Sequence, residues 1–160
     1  MSKRFKNALR KHYIAPFDKE KPDTPPEKDA YMWIANGIKE SAPENNEEED
    51  DVAYFDGDGT PEKIITSKTL GRSFEGERRY GDKAQDYVAA LEAEDGDALI
   101  VWYREVSPDG KTQKEGPARL SGIEIGDGEA SELETIAFQV AWSRKPVVSE
   151  VQEAAGVPGG

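Results

Sequence analysis

Two hydrophobic periods run along this chain without overlapping. From Leu133 to Trp142 (LETIAFQVAW) the period is two: Ile136, Phe138, Val140 and Trp142 share one face, and Thr135, Ala137, Gln139 and Ala141 the other. The second face is small and weakly polar, which suits a sheet covered on both sides or paired with another subunit. From Asp82 to Glu94 (DKAQDYVAALEAE) the period is 3.6, with Ala84, Tyr87, Val88 and Leu91 on one face of a helix. Asp82 is expected to cap its first turn, Gln85 completes a capping-box spacing, and Gly96 is the expected stop. A short helix with so narrow an apolar face needs a surface to cover. Both flanks are strand-like, so it is expected to lie as a lid over an open end or face of a β core.

Around these two stretches the pattern is one of short strands and turns. Ala98 to Tyr103 is a continuous apolar run, as in a strand buried on both faces. Ser107-Pro108-Asp109-Gly110 is a turn closing a hairpin onto Lys111 to Glu115. Gly116-Pro117 is expected to break that strand, Ala118 to Ile125 to resume it, and Gly126-Asp127-Gly128 to turn again. Upstream, Tyr31 to Ile38 and Val52 to Phe55 read as strands, and Lys63 to Phe74 as a strand or hairpin rich in β-branched residues. Residues 41–62 form a long acidic connection. Residues 1–15 space Phe5, Leu9 and Tyr13 by four, as an amphipathic helix or a docking arm would. Pro16, Pro22, Pro25 and Pro26 make 16–29 an extended strap. The expected fold is mainly β: an antiparallel β-sandwich or barrel with one flanking α-helix at about 82–94 and extended amino- and carboxy-terminal arms. The expected organisation is an arm and Pro-rich linker over 1–29, a β domain over 30–147 with its long loop at 41–62, and an arm or disordered tail over 148–160.

Composition narrows the classes. The chain has 160 residues, 36% hydrophobic and 34% charged, enough for one domain with a modest core. No apolar run is long enough to span a bilayer, and no hydrophobic region follows the basic Met1 to Lys11, so neither a membrane span nor a signal peptide is expected. There is no cysteine, hence no disulfide, thiolate or Cys-zinc chemistry. A net charge of −12 argues against gripping nucleic acid through its phosphates. The charge is also segregated. Lys3, Arg4, Lys6, Arg10 and Lys11 stand within residues 1–12 with no acid. Glu44, Glu47, Glu48, Glu49, Asp50, Asp51, Asp56 and Asp58 stand within 44–58 with no base. Opposite blocks suit contacts between copies, the alternative being two separately solvated segments.

Little in the chain points to catalysis. His12 is the single histidine, without the partners that metal binding or acid–base work requires. Asp56-Gly57-Asp58-Gly59 resembles the start of an EF-hand loop. Counting from Asp56, however, the fifth position is Thr60 and the twelfth Ser67, so a plain turn is expected rather than calcium. Phosphate-loop, HExxH and Gly-x-Ser-x-Gly motifs are missing. With 33 acidic residues, any carboxylate pair is expected by chance. Trp33, Trp102 and Trp142 could form a sugar-stacking platform, but two lie in strong strand patterns and read as core. No catalytic, cofactor or metal site is expected.

The order and spacing of several segments resemble a known family. They are Lys6-Asn7-Ala8-Leu9-Arg10-Lys11; Trp33-Ile34-Ala35-Asn36-Gly37-Ile38; Ala53-Tyr54-Phe55-Asp56-Gly57-Asp58-Gly59-Thr60-Pro61; Phe74-Glu75-Gly76 with Tyr80-Gly81-Asp82 and Ala84-Gln85; Gly116-Pro117-Ala118; and Gly126-Asp127-Gly128-Glu129-Ala130. Together they resemble the major tail tube protein of long-tailed, non-contractile bacteriophages of Gram-positive bacteria, over about residues 3–147. The charged insertion Asp18 to Asp29 and the tail after Glu150 depart from it. The resemblance implies homohexameric rings that stack into a tube conducting genomic DNA from capsid to host cell, without specific DNA binding, catalysis, cofactor or membrane. It implies a virion protein assembled in the host bacterial cytoplasm, with tape measure, tail terminator and distal tail protein as partners. In that setting the inter-ring contact candidates are Glu47, Glu48, Glu49, Asp50, Asp51, Asp56 and Asp58 against Lys3, Arg4, Lys6 and Arg10. The candidates for the channel surface are Glu75, Glu77, Glu132 and Glu134. The competing expectation is a monomeric carbohydrate-binding or adhesion β-sandwich.

Overall fold

The computed structural model describes residues 2–151. Its strands are β1 (Lys11–Pro16), β2 (Met32–Trp33), β3 (Ile38–Pro43), β4 (Asn46–Val52), β5 (Glu62–Thr69), β6 (Gly71–Glu77), β7 (Ile100–Val106), β8 (Thr112–Ile125), β9 (Thr135–Trp142) and β10 (Val147–Glu150), and its α-helix is α1 (Lys83–Ala90). Seven strands form one antiparallel path, β2-β1-β7-β8-β9-β6-β3, with β10 beside β8; β4 and β5 pair only with each other. The path is curled into a half-barrel. Its curl brings together strands that are not hydrogen-bonded neighbours: the Phe74 ring of β6 meets His12 of β1 edge-on, centroids 4.9 Å apart.

The alternation read from the sequence places the core. In β9, Ile136, Phe138, Val140 and Trp142 point inward, where they join Ile14, Phe74, Val101, Tyr103, Ala118 and Leu120 in one buried cluster. Phe74 and Phe138, paired across β6 and β9, stack at 5.1 Å. Trp142 lies against Tyr103 and donates its indole N–H to the Tyr103 carbonyl at 3.1 Å, which satisfies the one polar atom a buried tryptophan brings. Helix α1 covers this core with Ala84 and Val88, and Leu91 packs partly buried against it.

The helix starts where the sequence predicts and ends differently. Asp82 caps it, its carboxylate accepting from Gln85 N–H at 3.1 Å. Gln85 makes no reciprocal box. Its side chain is buried and clamps the β2–β3 crossing to the segment that leaves β6: it accepts from Arg79 N–H at 2.6 Å and donates to the Asn36 and Glu77 carbonyls at 2.7 and 2.9 Å. The helix stops at Ala90 with Leu91 as C-cap at φ −99°, without a left-handed residue, and Gly96 opens a separate 3₁₀ turn, Gly96–Leu99. The clamped crossing from β2 to β3 depends on Gly37 at φ +79°, where a Cβ would meet the Glu77 carbonyl at 2.5 Å.

Several elements differ from the sequence expectation. The strand expected at Tyr31 to Ile38 is two, β2 and β3, separated by the crossing. About half of the long connection at 41–62 is strand: β4 and β5 continue β3 and β6 outward as a hairpin, and of the strand expected at Val52 to Phe55 only Val52, the end of β4, is strand, while Ala53 to Phe55 run into the turn. Within the expected amino-terminal arm, Lys11–Pro16 is an interior strand hydrogen-bonded to β7, because His12, Ile14 and Ala15 have a core to enter. Phe5 and Leu9 do not form a helical stripe; Asn7–Leu9 is a single 3₁₀ turn and both side chains are exposed. Gly116-Pro117 does not break β8. The Pro117 carbonyl accepts from Ser143 N–H at 2.9 Å, so proline faces the gap between β9 and β10, where no ladder N–H is required. In the expected tail, Val147–Glu150 is β10, and residues 152–160 lie outside the described residues.

Candidate assembly surface

The hairpin β4–β5 projects from the body as an unsupported ribbon. Asn46 pairs with Thr69 and Val52 with Glu62, with a register shift between Glu48 and Glu49. Every residue from Asn46 to Asp51 is exposed. Glu47, Glu48, Glu49, Asp50 and Asp51 lie along β4, and Asp56 and Asp58 in the turn beyond it. Glu47 meets Lys68 of β5 at 3.4 Å. Asp58 accepts from Thr60 N–H at 2.9 Å, and the Thr60 hydroxyl, reinforced by that N–H, holds its carboxyl below the ordinary range. The turn carries Tyr54 and Phe55, the latter 110% exposed. A lone two-stranded hairpin is at best marginally stable in water, and its outer edges leave a row of N–H and C=O groups unpaired.

The ribbon and the basic arm are tied to the body at one point. Glu105 on β7 is 5% exposed. Arg72, at the root of the ribbon, donates from Nε to its Oε1 at 2.7 Å, and Arg10, at the root of the arm, lies 3.7 Å from Oε2. His12 adds Nδ1 at 2.9 Å from the Tyr103 hydroxyl. Burial, reinforced by Arg72 and Arg10, depresses the His12 pKa to about 3, so the ring is neutral and its approach to Glu105 is not an ion pair at neutral pH. Burial likewise pushes the Tyr103 hydroxyl well above its ordinary value. No sequence motif marks this cluster; its sign in the sequence is His12 and Ile14 on one strand face. Of the four basic contact candidates, Arg10 is thus engaged inside its own chain. Lys3, Arg4 and Lys6 are exposed ahead of the first turn, and no ion pair joins them to Glu47, Glu49, Asp50 or Asp51 within the described residues.

The four channel candidates are not brought together. Glu75 projects from the outward face of the sheet, in register with Glu40 of β3 and Ala137 of β9, which in turn aligns with Glu124 of β8. The next row on that face is Ala42, Ser73, Gln139 and Ser121. The result is an area of small polar side chains and unpaired acids. Glu77 is neutralised by Lys39 at 3.3 Å and Arg79 at 3.1 Å, and those partners hold its carboxyl below the ordinary range. Glu134 accepts from the Tyr80 hydroxyl at 2.9 Å, and Glu132 folds back onto the Glu129 N–H at 3.3 Å.

Two concavities complete the surface. One, of about 330 Å³, lies between the proline strap at Pro25 and Pro26 and the β7–β8–β10 face. There Tyr31 donates to Glu115 at 2.5 Å, and burial together with that carboxylate pushes its hydroxyl far above the ordinary value. The strap is pinned further by Arg144–Asp23 at 2.8 Å. The other is an open groove of about 760 Å³ beside the start of α1, lined among others by Trp33, Asn36, Tyr80 and Lys83. Trp33, unlike the buried Trp102 and Trp142, is half exposed, with Lys11 Nζ 4.4 Å over its ring.

No family model and no curated protein matches the chain. Solved structures do. The fold is similar to the tail protein of an empty gene transfer agent particle refined with C6 symmetry, at a TM-score of 0.65 and 14% identity over 93% of this chain and 100% of that one. It is similar to the SPP1 tail tube, at 0.62 and 13% over 94% and 81%. It also matches the tube-terminating cap of the anti-feeding prophage, at 0.53 and 8% over 94% of each. At these identities the likeness is one of fold.

Proposed function

We propose that the chain is a structural virion protein, the repeating subunit of a bacteriophage-type tail tube. Copies join through their sheets into homohexameric rings, and rings stack into a channel that conducts double-stranded DNA from the capsid to the host cell. The observation that carries this reading is the ribbon β4–β5, exposed on all sides and fixed at its root by Arg72. It is supported by a fold likeness that spans whole tail subunits. The work is mechanical and calls for no catalysis or cofactor. The sheet path ends at β3 on one side and at the short β2 on the other, so both edges stay open to strand pairing with neighbours. Acidic β4 and the basic arm leave the body at Glu105. Between copies, Glu47, Glu48, Glu49, Asp50 and Asp51 of β4 can therefore lie against Lys3, Arg4 and Lys6 of another subunit, with Asp56 and Asp58 beyond them at the tip.

The channel surface in this reading is the outward face of β8, β9, β6 and β3. Glu40 and Glu75 stand directly opposite one another, an arrangement that destabilises a sheet. An acidic, small-residue wall gives that cost a purpose, because it repels phosphate over about 8 Å at physiological ionic strength instead of retaining it. Glu75 is the strongest of the four channel candidates; Glu77, Glu132 and Glu134 are engaged by their own chain. The tape measure, tail terminator and distal tail protein are the partners this reading implies, with assembly in the host bacterial cytoplasm. A long-tailed, non-contractile phage of a Gram-positive host follows from the sequence resemblance alone. Negative-stain microscopy of the purified chain tests the reading: rings or tubes support it, and a stable monomer that binds polysaccharide overturns it in favour of a binding module.

A further inference from the structure

The ribbon and the groove beside α1 lie at opposite ends of the same two strands. β4 and β5 extend β3 and β6 past Pro43 and Gly71, whereas Asn36 precedes the start of β3 and Tyr80-Gly81-Asp82 follow the end of β6. A protrusion at one pole and a receptacle at the other is the arrangement that makes an open, head-to-tail stack. The chemistry of the two ends also matches. The tip presents Phe55, fully exposed, and Tyr54, and residues 52–61 carry Asp56 and Asp58 with no base. The groove presents the rings of Trp33 and Tyr80, 49% and 72% exposed. Cations flank both rings, with Lys11 over Trp33 at 4.4 Å and Arg78 over Tyr80 at 4.1 Å, and Lys83 lines the rim. Asp82, the acid among the lining residues, is occupied with the helix cap, and the nearby Glu134 with the Tyr80 hydroxyl.

We infer that this groove is the receptor for the ribbon tip of a second copy, with Phe55 as the anchor between Trp33 and Tyr80 and the turn acids against Lys11 and Lys83. The inference rests on the tube reading and adds to it where one ring grips the next: an aromatic socket at the helix end, distinct from the charge contact along β4. It also sets a length: from Asn36 at the groove to Phe55 at the tip the chain advances 19 residues, so copies so joined are displaced by at most about 65 Å along the strand direction.

The chain has no cysteine, so introduced pairs report without background. The full-length chain carrying Ala53→Cys at the ribbon turn is co-assembled with the full-length chain carrying Ala35→Cys in the groove, so that Phe55, Trp33 and Tyr80 are kept; the sample is oxidised and analysed on a non-reducing gel beside electron micrographs. The expected result is a linked dimer in assembled material and its absence from dilute subunits, together with loss of stacking, but not of rings, in Phe55→Ala. Phe55 touches nothing in its own chain, so that variant keeps its fold, which circular dichroism verifies. Tubes that form without the link between positions 53 and 35, or normal tubes from Phe55→Ala, overturn the socket and leave the tube reading standing. A wild-type chain that never stacks overturns both.

Discussion

His12 sits with Nδ1 2.9 Å from the Tyr103 hydroxyl, inside a cluster with Glu105, Arg72 and Arg10. The unfolded imidazole takes up its proton near 6.5 and the folded one only near 3. Between those values the unfolded state binds more protons, so this residue's contribution to stability is complete above pH 6.5 and declines as pH falls toward 3, at up to about 1.4 kcal/mol per unit. Thermal melts from pH 7 to 4 are therefore expected to fall less steeply in His12→Gln than in wild type; parallel curves would contradict the assignment. Removing the anion instead, as Glu105→Leu, leaves Arg72 buried without its partner and is expected to cost about 3 kcal/mol in denaturant melts. Phe138→Ala empties a position stacked on Phe74 and is expected to cost about 3–5 kcal/mol by the same measurement. Phe138 was legible because period-two alternation fixes which side chains turn inward. The Glu105 cluster was not, because its members come from three strands and only the curl of the sheet brings them within reach.

At the scale of elements, the helix was readable from Asp82 and its apolar face, whereas Gln85 looked like a capping residue and is a clamp on the crossing segment. Asp82→Ala is expected to cost about 1 kcal/mol through the lost cap. The ribbon was the element hardest to read. Its β4 strand, NEEEDDV, carries no alternation, since neither of its faces is buried in the single chain. An acidic run of this kind reads as a loop until its β-branched partner strand is seen beside it. Deleting residues 44–51 is expected to leave the body folded and the rings intact while abolishing long tubes, as scored by microscopy and circular dichroism. Long tubes from the deletion would remove the ribbon from ring stacking. Similarly, β1 was hidden by its setting between a basic arm and a proline strap, although His12, Ile14 and Ala15 are as buried as any strand of the core.

For the whole molecule, the proposed tube makes this half-barrel one piece of a larger wall, with its sheet edges, its ribbon and its aromatic groove addressed to other copies. Sequence order and spacing pointed to that class, but which face looks inward depends on the assembled ring. The most direct measurement is a cryo-EM map of the purified, assembled chain, refined without imposed symmetry. The expected map is a tube of stacked sixfold rings, with neighbouring sheets joined at β3 and at the β1–β2 edge, ribbons crossing to the next ring, and more acidic than basic side chains facing the channel, Glu40, Glu75 and Glu124 among them. A chain that stays monomeric at every concentration, or a tube whose ribbons end within their own ring and whose channel is neutral or basic, would contradict it.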